Sequence, residues 1–140
     1  MDKNISKKTV GILMPGDMGH GCGQAFKENG FNVVTCLNQR SERTKKLAFA
    51  AGIEDLKTID NVIKASDLIL SILPPESALK QAKAINSKIL KLKKKVTYVD
   101  CNAVSPKTAE KINNVISQLL NRCNAALKCG PKTTTNSSIN

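Results

Sequence analysis

Rings are scarce in this sequence: it has no Trp, one Tyr and three Phe among 140 residues. Single-stranded nucleic acid is usually held by stacking bases on exposed rings, so that platform is missing. No apolar run approaches the ~20 residues needed to span a bilayer. Residues 1–8 are polar and basic, without the apolar core of a secretory signal. The five cysteines (Cys22, Cys36, Cys101, Cys123 and Cys129) are odd in number and form no Cys-x-x-Cys pair. That argues against both a disulfide framework and a zinc site. Cys36 and Cys101 fall in apolar runs, where a free cysteine is expected to act as a small hydrophobe. These absences together predict a reduced, cytoplasmic chain without a metal or a membrane segment.

Charge of one sign, by contrast, is abundant. Lys and Arg number 22 against 11 Asp and Glu, a formal net charge of +11. Such a balance makes a polyanionic partner the default expectation. The basic residues are spread thinly, at Lys7-Lys8, from Arg40 to Lys46 and from Lys91 to Lys95, each at the edge of a predicted element. Solvated edges explain most of that pattern and argue against a nucleic-acid surface.

Short β-rich runs alternate with longer helical patterns. Strands are predicted over 9–14, 31–36, 67–73 and 96–100, and helices over 18–29, 41–51, 59–65, 76–91 and 106–120. Gly30 and Gly52 suit left-handed positions that close the first two helices, and the Ser41 hydroxyl can cap the second. Leu79, Ala82, Ile85, Ile89 and Leu92 recur at helical spacing, and Asp60 lies in a first turn. The runs at 9–14, 67–73 and 96–100 are nearly all apolar, as strands covered on both faces are. Strand–helix–strand alternation at this spacing predicts an α/β fold with a doubly wound, mostly parallel sheet. The expected organisation is a polar extension (1–8), one domain (9–120), and a degenerate strand with a polar, disorder-like tail (121–140).

Between the first strand and first helix lies Met14-Pro15-Gly16-Asp17-Met18-Gly19. It occupies the place of the dinucleotide fingerprint GxGxxG, with Met14 where the first glycine would be. Gly16 would let the backbone approach a pyrophosphate and Gly19 would let helix and strand pack closely. The helix N-terminus would present N–H groups to the phosphates. Gly21 and Gly23 follow, and a glycine inside a helix costs ~1 kcal/mol relative to Ala, so close approach is expected to require them. Asp17 either sits as a carboxylate near the phosphates or caps the helix. His20, the lone histidine, tempts as an acid–base group but reads more simply as a surface residue.

An NAD site usually carries an acid ~20 residues beyond the glycines, bonded to the ribose 2′-OH. From Asn29 to Ser41 there is none. The stretch ends instead in Asn38-Gln39-Arg40-Ser41, with Arg43, Lys45 and Lys46 beyond it. Guanidinium and hydroxyl donors there suit a 2′-phosphate, so the residues favour NADP over NAD.

Three ordered stretches, 10–19, 71–75 and 99–106, make the sequence resemble the N-terminal domain of the β-hydroxyacid dehydrogenase superfamily. That superfamily includes 6-phosphogluconate and 3-hydroxyisobutyrate dehydrogenases, and the likeness is to a branch whose loop reads PGDMG. The resemblance implies a Rossmann-type NADP-binding domain and places Leu73 and Pro74, at the end of the strand predicted over 67–73, beside the ribose and nicotinamide end. It places Asn102 and Ala103, where relatives often carry Ser-Thr, in the substrate-side loop after the strand predicted over 96–100, with Asp100 at its start. Members continue through a glycine-rich strand, which 125–132 resembles in eroded form, into a helical domain that donates the catalytic lysine. No lysine here matches that motif, so no catalytic residue is assigned. The expected cofactor-binding set is Pro15, Gly16, Asp17, Met18, Gly19, Asn38, Arg40, Ser41, Arg43, Leu73, Pro74 and Asn102.

Three functions stay open on these residues, with a basic nucleic-acid binder a distant fourth. One is an NADP-dependent oxidoreductase for a small hydroxy acid, completed by a helical domain from elsewhere. Another is a module that binds NADP without turning it over. The last is a truncated gene product whose exposed former interface favours self-association, a homo-oligomer being one outcome.

Overall fold

In the computed structural model, residues 6–123 are described. Five strands and five helices alternate: β1 (Thr9–Leu13), α1 (Asp17–Glu28), β2 (Asn32–Thr35), α2 (Glu42–Ala50), β3 (Glu54–Asp55), α3 (Ile59–Ala65), β4 (Leu68–Ser71), α4 (Pro75–Leu92), β5 (Thr97–Asp100) and α5 (Pro106–Cys123). The strands form one sheet in the order β3-β2-β1-β4-β5, and every pairing is parallel. This is the doubly wound, Rossmann-type architecture that the alternation predicts. Helix α5 runs to Cys123, past the expected end at 120. The eroded strand at 125–132 and the rest of the tail lie outside the described residues.

The strands alternate their burial faces with period two, as pleating requires. Val10, Ile12, Val33 and Leu70 point into one apolar layer, shared with Ala48 of α2 and with Cys22 and Phe26 of α1. Leu13, Ile69 and Tyr98 point into the other, shared with Ile63 of α3, Ala82 and Ile85 of α4, and Ile112 and Ile116 of α5. Two core layers on one sheet explain why the strand runs read as almost continuously apolar.

Gly11, in mid-β1, makes this layering close. A Cβ there would lie 2.5 Å from the Ser66 hydroxyl oxygen and 2.9 Å from Val62, so α3 rests directly on the strand. Ser41 and Thr58 cap α2 and α3 by accepting the N–H of Thr44 and Asn61, and Ser105 accepts that of Thr108 at the start of α5. Gly30 and Gly52 have positive φ at the two predicted helix ends.

Strand β3 was not expected from the pattern. Its two residues are polar and it forms an edge, aligned Val34↔Glu54 and Thr35↔Asp55. What it contributes is the Asp55 carboxylate, which accepts the N–H groups of Leu37 and Lys57 and the Lys57 ammonium. Burial would raise the pKa of this carboxyl, but those hydrogen bonds together hold it below the ordinary carboxylate range. They fix the chain as it leaves β2. The cysteine expectation fails in part. Cys36 is half-buried with its thiol donating to the Lys57 carbonyl (3.2 Å), but Cys101 lies one residue beyond β5 and is exposed. Among the described residues no helix is long and apolar enough to cross a membrane.

Candidate dinucleotide-binding site

The strand order turns back between β1 and β4: the chain moves outward from β1 to β2 and β3, then returns to the other side with β4 and β5. A crevice opens at such a switch point, beyond the carboxyl ends of the strands, because neighbouring connections leave in opposite directions. Here it is a cleft of about 230 Å³ lined by Met14, Gly16, Asp17, Met18, Gly19, Arg40, Thr44, Ile72, Leu73 and Pro74. Seven of the twelve expected ligands, Gly16, Asp17, Met18, Gly19, Arg40, Leu73 and Pro74, line it together.

The floor is the turn that follows β1. The Gly16 N–H bonds back to the Met14 carbonyl at 2.8 Å, closing a three-residue turn around the buried Pro15. Met14 takes φ +58, the left-handed conformation that the first fingerprint glycine would adopt without strain. Behind it, a Cβ on Gly19 would stand 2.6 Å from the Met14 carbonyl oxygen, so only glycine lets α1 start this close to the strand. A Cβ on Gly16 would meet nothing within 4 Å. The backbone there faces open space, as close approach of a ligand requires. Gly23 meets Ile53 and Ile12 in the same close-packed manner, whereas Gly21 is exposed with room for a side chain; nothing in the structure explains it.

No side chain caps α1. Its leading N–H groups therefore face the cleft unpaired by a cap and carry the positive end of the helix dipole. Asp17 does not take the capping role. It is the first helical residue, and its carboxylate pairs with Arg43 of α2 at 2.5 Å, both side chains about 70% exposed (70% and 68%). The pair bridges the start of α1 and the start of α2 across one end of the cleft. His20 is half-buried, and its Nδ1–H donates to the Gly16 carbonyl at 2.8 Å, a local role in the same turn.

Opposite the glycine turn lies the loop after β2. Gln39 has φ +60, and the Arg40 N–H bonds to the Leu37 carbonyl at 3.0 Å, so the chain reverses tightly and sends Arg40 into the cleft. The Arg40 Nε is buried without a hydrogen-bond partner. A buried guanidinium nitrogen left unpaired is costly, and an anionic oxygen would satisfy it. Ser41 is occupied at the head of α2, sharing a hydrogen with Thr44 at 3.0 Å. Asn38 does not line the cleft. It borders a larger open groove, about 1220 Å³, that runs along α2 and the β3 edge past Lys45, Lys46 and Phe49. That groove lies at the rim of the sheet and takes none of the glycine turn.

At the other end, Leu73 and Pro74 form a wall. Asn102 lies behind it: its Oδ1 accepts the Leu73 N–H at 2.5 Å, and its Nδ2 donates to the buried Ser71 hydroxyl at 3.1 Å and to Asp100. Burial pushes the Asp100 carboxyl above its ordinary range, against the pull of the Asn102 amide. Met14, Thr44 and Ile72 line the cleft without having been expected. Thr44 follows the Ser41 cap by three residues, and that spacing is the one signal that points to it.

Comparison with known proteins shows the family of the chain. The family model described as acetohydroxy acid isomeroreductase, NADPH-binding domain, matches residues 4–118. The chain belongs to this NADPH-binding domain family. Across 109 residues it is 36% identical to an uncharacterized 28.5 kDa protein in the 7S RNA 5′ region of Methanothermus fervidus. That match takes in 78% of this chain and 41% of the other, so the domain spans less than half of that relative. Among solved structures, a conserved protein of unknown function described as similar to 3-hydroxyacid dehydrogenases superposes with TM-score 0.70 at 19% identity, over 89% of this chain and 58% of the other. Mycobacterium tuberculosis 3-hydroxyisobutyrate dehydrogenase gives 0.65 at 15% identity, over 81% and 38%. An imine reductase from Pseudomonas sp. gives 0.63 at 20% identity, again over 81% and 38%. These likenesses are of fold, and each falls on one part of a longer chain. They agree with the resemblance to the cofactor domain of β-hydroxyacid dehydrogenases. In this NADPH-binding domain the cleft at the β1/β4 switch point is the candidate cofactor site.

Proposed function

We propose that this domain prefers NADP(H) to NAD(H) and holds it with the pyrophosphate over Gly16–Gly19 and the 2′-phosphate at Arg40. The observation that carries this reading is the buried, unpartnered Arg40 Nε at the exit of β2, in a stretch that offers no acid for a ribose 2′-OH. Pro15 shapes the turn, while Asp17 and Met18 place the first amides of α1. Ser41 and Arg43, at the head of α2, stand beside the Arg40 arm, while Asn38 borders the neighbouring groove. Leu73, Pro74 and Asn102 serve the nicotinamide end. When bound, the cofactor supplies or accepts a hydride at its nicotinamide, and the chain's own part is to bind, orient and wall off that ring.

In this reading the domain is the cofactor half of an oxidoreductase like 6-phosphogluconate or 3-hydroxyisobutyrate dehydrogenase, acting in the cytoplasm on a small hydroxy acid once a helical domain completes the cleft. A second reading, binding without turnover, is favoured by the lining itself. Among the described residues, the ionisable side chains in the cleft are Asp17 and Arg40, and neither stands at the Leu73–Pro74 end as a general base would. Titrating the purified chain with NADPH and NADH tests the cofactor assignment. NADPH should bind at least tenfold more tightly, and equal or absent binding of the two would overturn it. Hydride transfer to hydroxy acids should be absent for this chain alone; steady turnover would defeat the second reading.

A further inference from the structure

We infer that Asn102 is a positioning residue for the nicotinamide end: its amide sets the Leu73–Pro74 wall by tying the ends of β4 and β5 together, and the ligand meets that wall instead of Asn102. The inference rests on the cofactor reading above.

The parallel ladder between β4 and β5 ends at the pair Ser71↔Asp100, with one last rung from the Cys101 N–H to the Ser71 carbonyl at 3.0 Å. Beyond it the two chains part, one toward Pro74 and α4, the other toward Ser105 and α5. Asn102 carries the connection past that divergence. Its Oδ1 takes the Leu73 N–H at 2.5 Å, and its two amide hydrogens go to the Ser71 hydroxyl at 3.1 Å and to the Asp100 carboxylate. Both donors and one acceptor position of the amide are thereby engaged within the protein. A group so occupied has little left to offer a carboxamide in the cleft. It does, however, fix a backbone N–H of the wall, and Leu73 and Pro74 line the cleft while Ser71, Asp100 and Asn102 do not.

The chemistry selects asparagine. A carboxylate at 102 would lack the two donors and would face Asp100 charge to charge. A serine hydroxyl has one donor and is too short to reach three partners. The position therefore needs a short side chain with two donors and an acceptor in one plane.

The test compares two ligands on the purified chain: NADPH, which spans both ends of the cleft, and 2′,5′-ADP, which carries the 2′-phosphate but no nicotinamide. In Asn102→Ala the dissociation constant for NADPH should rise about tenfold, the scale of one lost buried hydrogen bond, and further in Asn102→Asp. Binding of 2′,5′-ADP should stay within about twofold and reports that the fold is intact. Ser71→Ala, which alters a fully buried hydroxyl outside the cleft, should reproduce part of the NADPH-specific loss. Its effect should not add to that of Asn102→Ala, because both act through one network. Unchanged NADPH binding in Asn102→Ala, equal loss of both ligands, or additive effects of the two alanines would each overturn the inference. If the unaltered chain binds 2′,5′-ADP but not NADPH, the wall is not a nicotinamide site. If it binds neither, the cofactor reading itself falls.

Discussion

Three glycines within six residues give the structure a test in which the expected signs differ. Alanine at 19 would bring its Cβ to 2.6 Å from the Met14 carbonyl oxygen, a backbone atom that cannot swing aside. The turn would have to open, and overpacking of this kind costs about 1–3 kcal/mol. For a domain of this size that corresponds to a fall in melting temperature of roughly 3–12 °C. Alanine at 16 meets nothing within 4 Å, so the fold should lose no more than about 1 kcal/mol as a poorer N-cap. Its methyl would instead stand where the pyrophosphate must approach, and NADPH affinity should fall by about tenfold or more. Alanine at 21 is exposed and unobstructed, and should stabilise the domain by about 1 kcal/mol through helix propensity while leaving NADPH binding unchanged. Thermal unfolding with and without NADPH, alongside a fluorescence titration, reads all three. A Gly16→Ala chain that binds NADPH as the original does would refute the placement of the phosphates. A Gly19→Ala chain that melts with the original would refute the close packing of α1 on the first turn.

Other consequences follow from single side chains. Arg40→Gln should weaken NADPH at least tenfold and leave NADH within about twofold, since a 2′-phosphate is the group that distinguishes them; parallel titrations decide it. Asp17→Asn breaks an exposed ion pair, so the melting temperature should hardly move. NADPH should bind a few-fold more tightly once the carboxylate is gone from the phosphate end, and looser binding would contradict that. Asp100 has a folded pKa raised by burial. Its share of stability is therefore fully present below the unfolded value of ~3.9 and lost as pH rises through the folded value. Asp100→Asn should match the original at low pH and melt higher at neutral pH, and a gap that stays constant with pH would count against the buried carboxylate.

Much of this site is legible along the chain. The runs at 9–14 and 67–73 announce buried strands because they pack on both faces, and Gly19 announces the turn because a Cβ there has no clearance from the Met14 carbonyl, while Gly16 leaves its backbone open. The Ser41 cap is readable from its place ahead of a helical pattern. What escapes is whatever depends on partners distant in sequence. Glu54–Asp55 carries no apolar pattern, since an edge strand of two residues needs none. Asp17 looks like a cap until Arg43, 26 residues away, is seen to hold it. How Asn102 is held depends on Ser71 and Leu73, 31 and 29 residues earlier, whose groups meet its amide. Cys101 is misjudged because it follows β5, which ends at Asp100 as expected, and hydropathy alone does not show that the next residue is already at the surface.

The central place of β1 has a bearing on how the chain is made. It is the first strand synthesised, yet one side of it waits for β2 and the other for β4, whose approach is marked by the Thr9 N–H bonding to Asp67, 58 residues away. Until Leu68–Ser71 has left the ribosome, the apolar row Val10–Leu13 has an open hydrogen-bonding edge and one uncovered face. Such an edge invites pairing with another nascent copy. Chains halted before residue 68 should therefore be the aggregating ones, and solubility should return only once α5 has followed β5 and laid Ile112 and Ile116 over the second face.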